Sequence, residues 1–451
     1  MANPAALEPA PAPAPAPPAD DADAPPTRAR LVLVGWLAAL SGVLYLDRIC
    51  MSQAAPAIQA DLGLTFTQVA YVHMAFTVAY GLFEVPSGRL GDRIGARAVL
   101  TRIVVWWSAF TALTGAATGL GMLVVVRFLF GAGEAGAYPN VARVLSRWFP
   151  AAERGRVTGL MLTAAQLGGA VAPALSAGLI AVVGWRWAFA AFGLVGVAWA
   201  VGFRRWFRDD PADHPGVNAA ELRRIRGGLP APAHPHGKIP WRAVARSSGF
   251  WVLAGIIVCS SFNSYLYYSW FSTYLQAGRG VSKGEAGLLT SLVLLGSAVG
   301  VLAGGAVADR FVGRGAGRVR ARRVFGAAAF TTAAALIAAA AQAETPLLMC
   351  ALAALSCLAV QLTLPTWWAA AIEQSGRHVG VVFGLLNTTG IAGAVASQWF
   401  VGAFSDAQQA RGLTGRDQWD PMFGVYVGML LAGAVGWSLY RFRPLEPADP
   451  A

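Results

Sequence analysis

Apolar runs of about twenty residues, each closed by charges or turn residues, recur along the whole chain. A helix rising 1.5 Å per residue crosses the hydrocarbon core of a bilayer in about twenty residues, so each run predicts a membrane span. Six are predicted before a polar segment, over 31–54, 67–87, 98–117, 120–143, 156–181 and 186–204. Six more follow it, over 249–276, 286–308, 323–342, 346–371, 379–405 and 420–440. The intervening segment is punctuated by Pro211, Pro215, Pro230, Pro235 and Pro240 and reads as a linker, in which Asn218 to Arg226 can form a short amphipathic helix. The first thirty residues repeat Ala-Pro and carry Asp20, Asp21 and Asp23. They are too poor in apolar residues to build a core and are expected to be a disordered tail, not a signal peptide.

Composition agrees with the pattern. The 451 residues are 56% hydrophobic and only 13% charged, about half the charged share of an average soluble domain. A net charge of +12 raises the question of nucleic acid. The placement of the basic residues answers it. Arg48 and Arg127 lie inside spans, Arg186, Arg279, Lys283, Arg411 and Arg416 fall in loops on one side, and the rest fall on the other side. The positive-inside rule makes that crowded side cytoplasmic, with both termini and the linker. The basic charge therefore follows topology, and no nucleic-acid partner is expected. Cys50, Cys259, Cys350 and Cys357 sit in or beside apolar runs without metal-ligand spacing, and read as reduced core residues. The histidines are scattered, and no span carries a nucleophile-base set, so neither an enzyme nor a metal site is expected.

Charges inside spans are costly and usually face a partner or a water-filled path. Arg127 and Glu134 stand two helical turns apart on one face, about 10 Å along the axis and too far for direct contact. Between them Gly131, Ala132, Gly133, Ala135 and Gly136 permit close helix packing. Counting along the spans puts Asp47, Arg48 and Arg127 at one level in the outer half and Glu134 deeper, toward the cytoplasm. Successive residues point about 100° apart, so one of Asp47 and Arg48 is expected to meet Arg127 and the other to face a cavity. A guanidinium matches a carboxylate bidentately, which makes Arg48 or Arg127 the anchor for an anion. Asp47 and Glu134, partly removed from water, are candidate proton carriers. Arg127 and Glu134 then read as two stations, the outer one for anion and proton entry and the deeper one for proton release. Tyr45, Tyr80 and Gln166 add polar groups in the first half. The second half offers no comparable buried charge, and contributes Asn263, Tyr265, Tyr267, Tyr268 and Trp270, then Thr366, Trp367 and Trp368, then Asn387, Thr388 and Thr389.

The halves also repeat. Gly88-Arg89-Leu90-Gly91-Asp92-Arg93-Ile94-Gly95-Ala96-Arg97 follows the second span, and Gly305-Ala306-Val307-Ala308-Asp309-Arg310-Phe311-Val312-Gly313-Arg314 follows the eighth. Repeated halves with a site between them are a common plan for secondary transporters. With twelve spans and the long central loop, the first of these motifs resembles the major facilitator superfamily over about 31–443. Tyr45-Leu46-Asp47-Arg48, the stretch from Arg127 to Pro139 and Arg147-Trp148-Phe149-Pro150 resemble its anion:cation symporter family, which includes bacterial sugar-acid carriers and relatives of vesicular glutamate and sialic acid carriers.

The resemblance implies an all-α membrane protein of twelve transmembrane helices in two six-helix pseudo-symmetric bundles around a central cavity, with both termini cytoplasmic. The corresponding parts are a tail over 1–30, a first bundle over 31–205, the linker over 206–247, a second bundle over 248–443 and a tail over 444–451. It also implies that Asp47 and Glu134 couple protons while Tyr45, Arg48, Tyr80, Arg127, Gln166, Thr366, Trp367 and Asn387 approach the substrate. Asn263 and Tyr267 are added from their own polarity. Gly88, Asp92, Arg93, Arg97, Arg154, Asp309 and Arg310 read as a cytoplasmic gate, with Arg97 and Arg154 as partners for Asp92 and Glu373 as a further member. Glu84, one turn before Gly88, has no assigned role.

The expected function is proton-coupled uptake of a small organic anion, a sugar acid first, by a monomer in a bacterial inner membrane. No cofactor is expected beyond the coupling ion, for which sodium is the alternative. A proton-driven exporter is the competing reading, on the strength of Gly168-Gly169-Ala170-Val171-Ala172-Pro173 in the fifth span.

Overall fold

The computed structural model describes residues 25–227, 241–312, 317–375 and 379–441, so most of the expected tails and the middle of the linker lie outside the described residues. Among the described residues every regular element is helical. The first half comprises α1 (Ala29–Leu62), α2 (Phe66–Ile94), α3 (Ala96–Gly115), α4 (Leu120–Glu134), α5 (Ala137–Trp148) and α6 (Ala151–Trp206). Two short helices, α7 (Ala219–Arg226) and α8 (Trp241–Arg246), lead to the second half. That half holds α9 (Ser248–Tyr265), α10 (Phe271–Ala277), α11 (Lys283–Val312), α12 (Arg318–Gln342), α13 (Pro346–Gln361), α14 (Leu364–Ser375), α15 (Val379–Ala410), α16 (Gly415–Trp419) and α17 (Phe423–Leu439). Nine helical stretches among the described residues are long and apolar enough to cross a membrane. One of them runs through α6, whose 56 residues would reach about 84 Å if straight. It is broken at Gly184, where φ is 77° and ψ 162°, a conformation that glycine adopts without a Cβ penalty. The expected fifth and sixth spans are the two limbs on either side. Helices α2 and α15 cover the second and eleventh expected spans.

Helices pack both within each half of the chain and between the halves. α1 and α3 lie on α6, and α2 and α3 on α4; in the second half α9 lies on α15 and α17, α12 on α13 and α17, and α11 on α13. The halves meet where α2 crosses α15 and where α6 crosses α11. One end of this interface is laced by polar contacts. Asp406 on α15 accepts hydrogen bonds from the first amides of α2, Phe66 N–H at 2.9 Å and Thr67 N–H at 2.8 Å. At the α6–α11 crossing the Ala174 amide donates to the Ser291 hydroxyl at 3.1 Å.

Each half also has an arginine that ties down helix ends. Arg186 donates to the carbonyls of Gly115 and Ala117, at the end of α3, and pairs with Asp61 at the end of α1. Arg279 donates to the carbonyls of Ala341 and Ala343, at the end of α12, and pairs with Asp420. The last carbonyls of a helix lack intrahelical partners, and a guanidinium fork can satisfy two at once.

The linker docks on the first half. Asn218 caps α7 by accepting the Glu221 amide at 2.9 Å, the N-cap its sequence predicts. Glu221, fully buried, pairs with Arg30 at 3.0 Å, while Glu153 on α6 accepts from Arg30 and Arg224. His214 wedges between the rings of Trp148 and Trp206.

Candidate functional site

A cavity of about 330 Å³ lies between the halves, within the range of small-molecule sites. On α2 its lining residues His73, Phe76, Thr77, Tyr80 and Glu84 recur at helical spacing, so one face of that helix is committed to the cavity. Tyr45 and Arg48 enter from α1 and Arg127 from α4. The second half brings serines of α9, Gln361 of α13, Trp367 and Trp368 of α14, and Asn387 and Gln398 of α15.

The positive charge is concentrated at one side. Arg48 lies over the Tyr80 ring at 4.5 Å and against Phe76 at 5.4 Å. Its Nε donates to the Glu134 carboxylate, forming an ion pair between α1 and α4. Arg127 lies over Phe130 at 4.3 Å and against the same Phe76 at 5.3 Å. One phenyl ring thus touches both guanidiniums, and each contact is attractive through the ring quadrupole. Helices α2 and α4 can come this close because Gly131 has no side chain; a Cβ there would stand 2.5 Å from the Phe76 carbonyl oxygen. Asp47, only 1% exposed, is directed into the bundle beside Trp107, and Glu134 and Arg127 both act on it electrostatically. Neither of its carboxyl oxygens has a protein hydrogen-bond partner, nor do Nε and Nη1 of Arg127.

The structure revises the two-station picture. Arg48, not Arg127, meets an acid directly, and that acid is Glu134, from the level expected to be deeper. Counting residues along straight helices overlooked the length of the arginine side chain, which can carry its charge well over one helical turn from its own Cα. Asp47 and Arg48 do point in different directions, with Arg48 toward the cavity and Asp47 toward the field of Arg127.

Other predicted site residues separate into those that reach the cavity and those that do not. Tyr45, Arg48, Tyr80, Arg127, Trp367 and Asn387 line it. Asn263 and Tyr267, each 1% exposed, sit behind the wall in a small recess with Cys357. Tyr265 and Tyr268 face the cavity instead, on the same helical period as Ser261 and Ser264, and a π-turn over Leu266–Trp270 widens the helix there. Thr366 is buried, and Gln166 is half-buried on α6 outside the described lining. The paired glycines proposed as an exporter signature have a packing role: Cβ atoms there would stand 2.9 Å from the Gly42 Cα and 3.0 Å from the Tyr45 ring.

His73, Thr77, Ser260, Ser261, Ser264, Gln361 and Gln398 were missed by sequence reasoning. The helical period through Tyr80 would have flagged His73, Thr77 and Glu84, and the period through Tyr268 would have flagged the serines at 261 and 264. At the laced end the cavity is sealed by a polar seam. Thr77 hydrogen bonds to the Gln398 side chain at 3.1 Å, Gln398 donates to Ser269 at 3.1 Å, and the Trp270 indole donates to the Gln398 carbonyl at 3.1 Å. Toward the opposite end Glu84 is half-buried and Asn387 exposed.

Of the expected gate, the side chains of Asp92, Arg93 and Asp309 and the surroundings of Gly88 lie outside the described residues. Arg97 donates to the Arg204 carbonyl and Arg154 to the carbonyls of Ser146 and Phe149, so both arginines hold helix ends. Arg310 is exposed. Glu373 accepts two hydrogen bonds from Arg322, both at 2.8 Å, and pairs with Arg318, tying α14 to α12.

Known proteins resemble this chain along nearly its whole length. It is 33% identical over 375 residues to a probable sulfoacetate transporter of Cupriavidus necator, covering 82% of this chain and 86% of that one. It is 30% identical over 380 residues to a hexuronate transporter of Bacillus subtilis, covering 82% and 88%. Its fold matches the inward-facing, unoccupied structure of a bacterial homologue of the human lysosomal transporter Spinster, with a TM-score of 0.72 at 17% identity, covering 91% of this chain and 97% of that one. The Major Facilitator Superfamily model matches residues 37–396 and, again, 253–451. These likenesses, and the long apolar helices around a polar cavity, mean that the chain is a multi-pass membrane transporter, not an enzyme, and belongs to the Major Facilitator Superfamily.

Proposed function

We propose that the protein is a proton-coupled symporter of a small organic anion, a sugar acid or related carboxylate, working as a monomer by alternating access. In this reading the chain spans a bacterial inner membrane twelve times, as two six-helix bundles with both termini and the linker cytoplasmic. The laced end of the cavity is then the outer end, and the open end faces the cytoplasm.

The observation that carries the reading is the Arg48–Glu134 pair at the cavity wall. While Glu134 is ionised it occupies the guanidinium; once protonated it releases that fork to a substrate carboxylate. Proton and anion then favour each other's binding, because linkage is reciprocal. Asp47 and Arg127 form a second, looser couple whose buried carboxyl is relieved of its desolvation cost by a proton. Facing the cytoplasm, loss of the proton from Glu134 restores the pair and expels the anion. Both relatives are named for organic anions, which supports the cargo class, but sulfoacetate and a hexuronate differ in size and charge, so the choice of acid falls to this cavity's own geometry.

The test is uptake into proteoliposomes under an imposed pH gradient. Glu134→Gln should abolish pH-driven accumulation while counterflow exchange of the anion persists. Accumulation at the wild-type level in that variant would overturn the coupling role.

A further inference from the structure

Glu84 is the one cavity-lining carboxylate not accounted for above. It lies one helical turn beyond Tyr80 on α2, about 6 Å further toward the open end, and on the same face. The Tyr80 ring carries Arg48, and the Glu84 and Arg48 charges act on each other without forming an ion pair. The two guanidiniums share one phenyl ring, so the cavity's positive charge is confined to the α1–α4 side. Across from them, the described lining of the second half contains hydroxyls and amides, among them Ser260, Ser261, Ser264, Gln361 and Asn387, and no cation.

We propose that this cavity selects singly charged hydroxy acids over long dianions, and that Glu84 is the residue that enforces the choice. The inference rests on the reading that the cavity binds an organic anion. A six-carbon acid with one carboxylate can place that group on Arg48 and extend its neutral hydroxyls along the serine face, where each finds donors and acceptors. A six-carbon acid with a carboxylate at both ends has no second cation to meet. Its far end must lie either among neutral hydroxyls, which desolvate it without compensating its charge, or toward the open end beside Glu84, which repels it. A compact dianion, with both charges close together, escapes this filter because Arg48 and Arg127 can share it.

The experiment compares D-gluconate with D-glucarate, equal in carbon number and differing in one carboxylate, as ligands of the purified full chain by titration calorimetry. The wild type should bind gluconate at least tenfold more tightly, equivalent to about 1.4 kcal/mol. Glu84→Gln should reduce that ratio to about threefold or less, and Glu84→Asp should keep it near the wild-type value. Equal affinities in the wild type, a result that needs no variant to fold, would overturn the proposal, as would an unchanged ratio in a folded Glu84→Gln protein. If neither acid binds while the uncharged hexitol does, the organic-anion reading itself has failed, and the filter with it.

Discussion

The carboxylate of Asp406 holds two backbone amides of the opposite half, and replacing it tests what keeps the laced end of the cavity shut. Phe66 and Thr67 stand at the start of α2, where amides have no intrahelical acceptor. Removing an N-terminal capping side chain costs about 0.5–2 kcal/mol, and an anion at the positive end of the helix dipole contributes roughly 0.3–1 kcal/mol more. If the halves part as alternating access requires, these contacts are lost and water takes the amides. Asp406→Ala should therefore destabilise the closed, laced end by about 1–2 kcal/mol, a factor of roughly 5–30 in the ratio of the two states. The close packing of Gly402 on Phe66 and Ala70, and the contacts of the Phe66 ring with Trp270 and Trp419, remain to oppose opening. Spin labels at exposed Ala60 and Gln409, near the C-terminal ends of α1 and α15, would report the change as a longer-distance population in pulsed dipolar spectra. Asp406→Asn, which can still cap, should shift the ratio less than Asp406→Ala. An unchanged distance distribution in the alanine variant would refute the latch.

Three further outcomes follow from contacts already described. Phe76→Leu keeps most of the side-chain volume but removes the ring from both guanidiniums, each contact being worth about 0.5–1 kcal/mol; anion affinity should fall three- to tenfold by calorimetry, and an unchanged affinity would show that the ring does not position the arginines. Glu221→Ala leaves Arg30 buried with only Glu153, and breaking a buried pair costs about 3–5 kcal/mol; limited proteolysis should cut the linker faster, and a wild-type cleavage rate would argue against docking by this pair. Burial, reinforced by the Arg208 charge, holds His214 below its ordinary value of 6.5, and its Nδ1 accepts the Gly216 amide, which requires the neutral ring. Because the docked value is the lower one, the contribution to docking is complete above about pH 6.5 and is lost as pH falls through the docked value. Linker proteolysis should accelerate on acidification, and His214→Gln should remove that dependence.

Much of the architecture could be read from the sequence because a charge in an apolar run is conspicuous and a span has a fixed length. Asp47, Arg48, Arg127 and Glu134 stood out for the first reason, and the capped helix after Asn218 for its own local chemistry. The pairing among those charges was not legible. It depends on side-chain reach and helix tilt, which a count of residues along straight cylinders does not contain. Tyr267 was placed in the site and Tyr268 only beside it, because neighbouring residues on a helix point about 100° apart and a run of adjacent aromatics does not announce which of its faces meets the cavity. Glu84 went without a role because its meaning lies in what α13, α14 and α15 fail to offer across the cavity, hundreds of residues away. The seal between Phe66 and Asp406 was hidden for the same reason of sequence separation.

The two helix-end arginines, Arg186 and Arg279, grip main-chain carbonyls. A carbonyl belongs to the backbone, so the grip itself asks nothing of the side chains at 115, 117, 341 and 343; their tolerance is set by packing, which would press a Cβ at Gly115 onto the Arg186 carbonyl oxygen and buries Ala117 and Ala343. A saturation mutagenesis library selected for transport should accordingly reject every replacement of Arg186 and Arg279, and at 115, 117 and 343 should reject residues by size and not by chemistry.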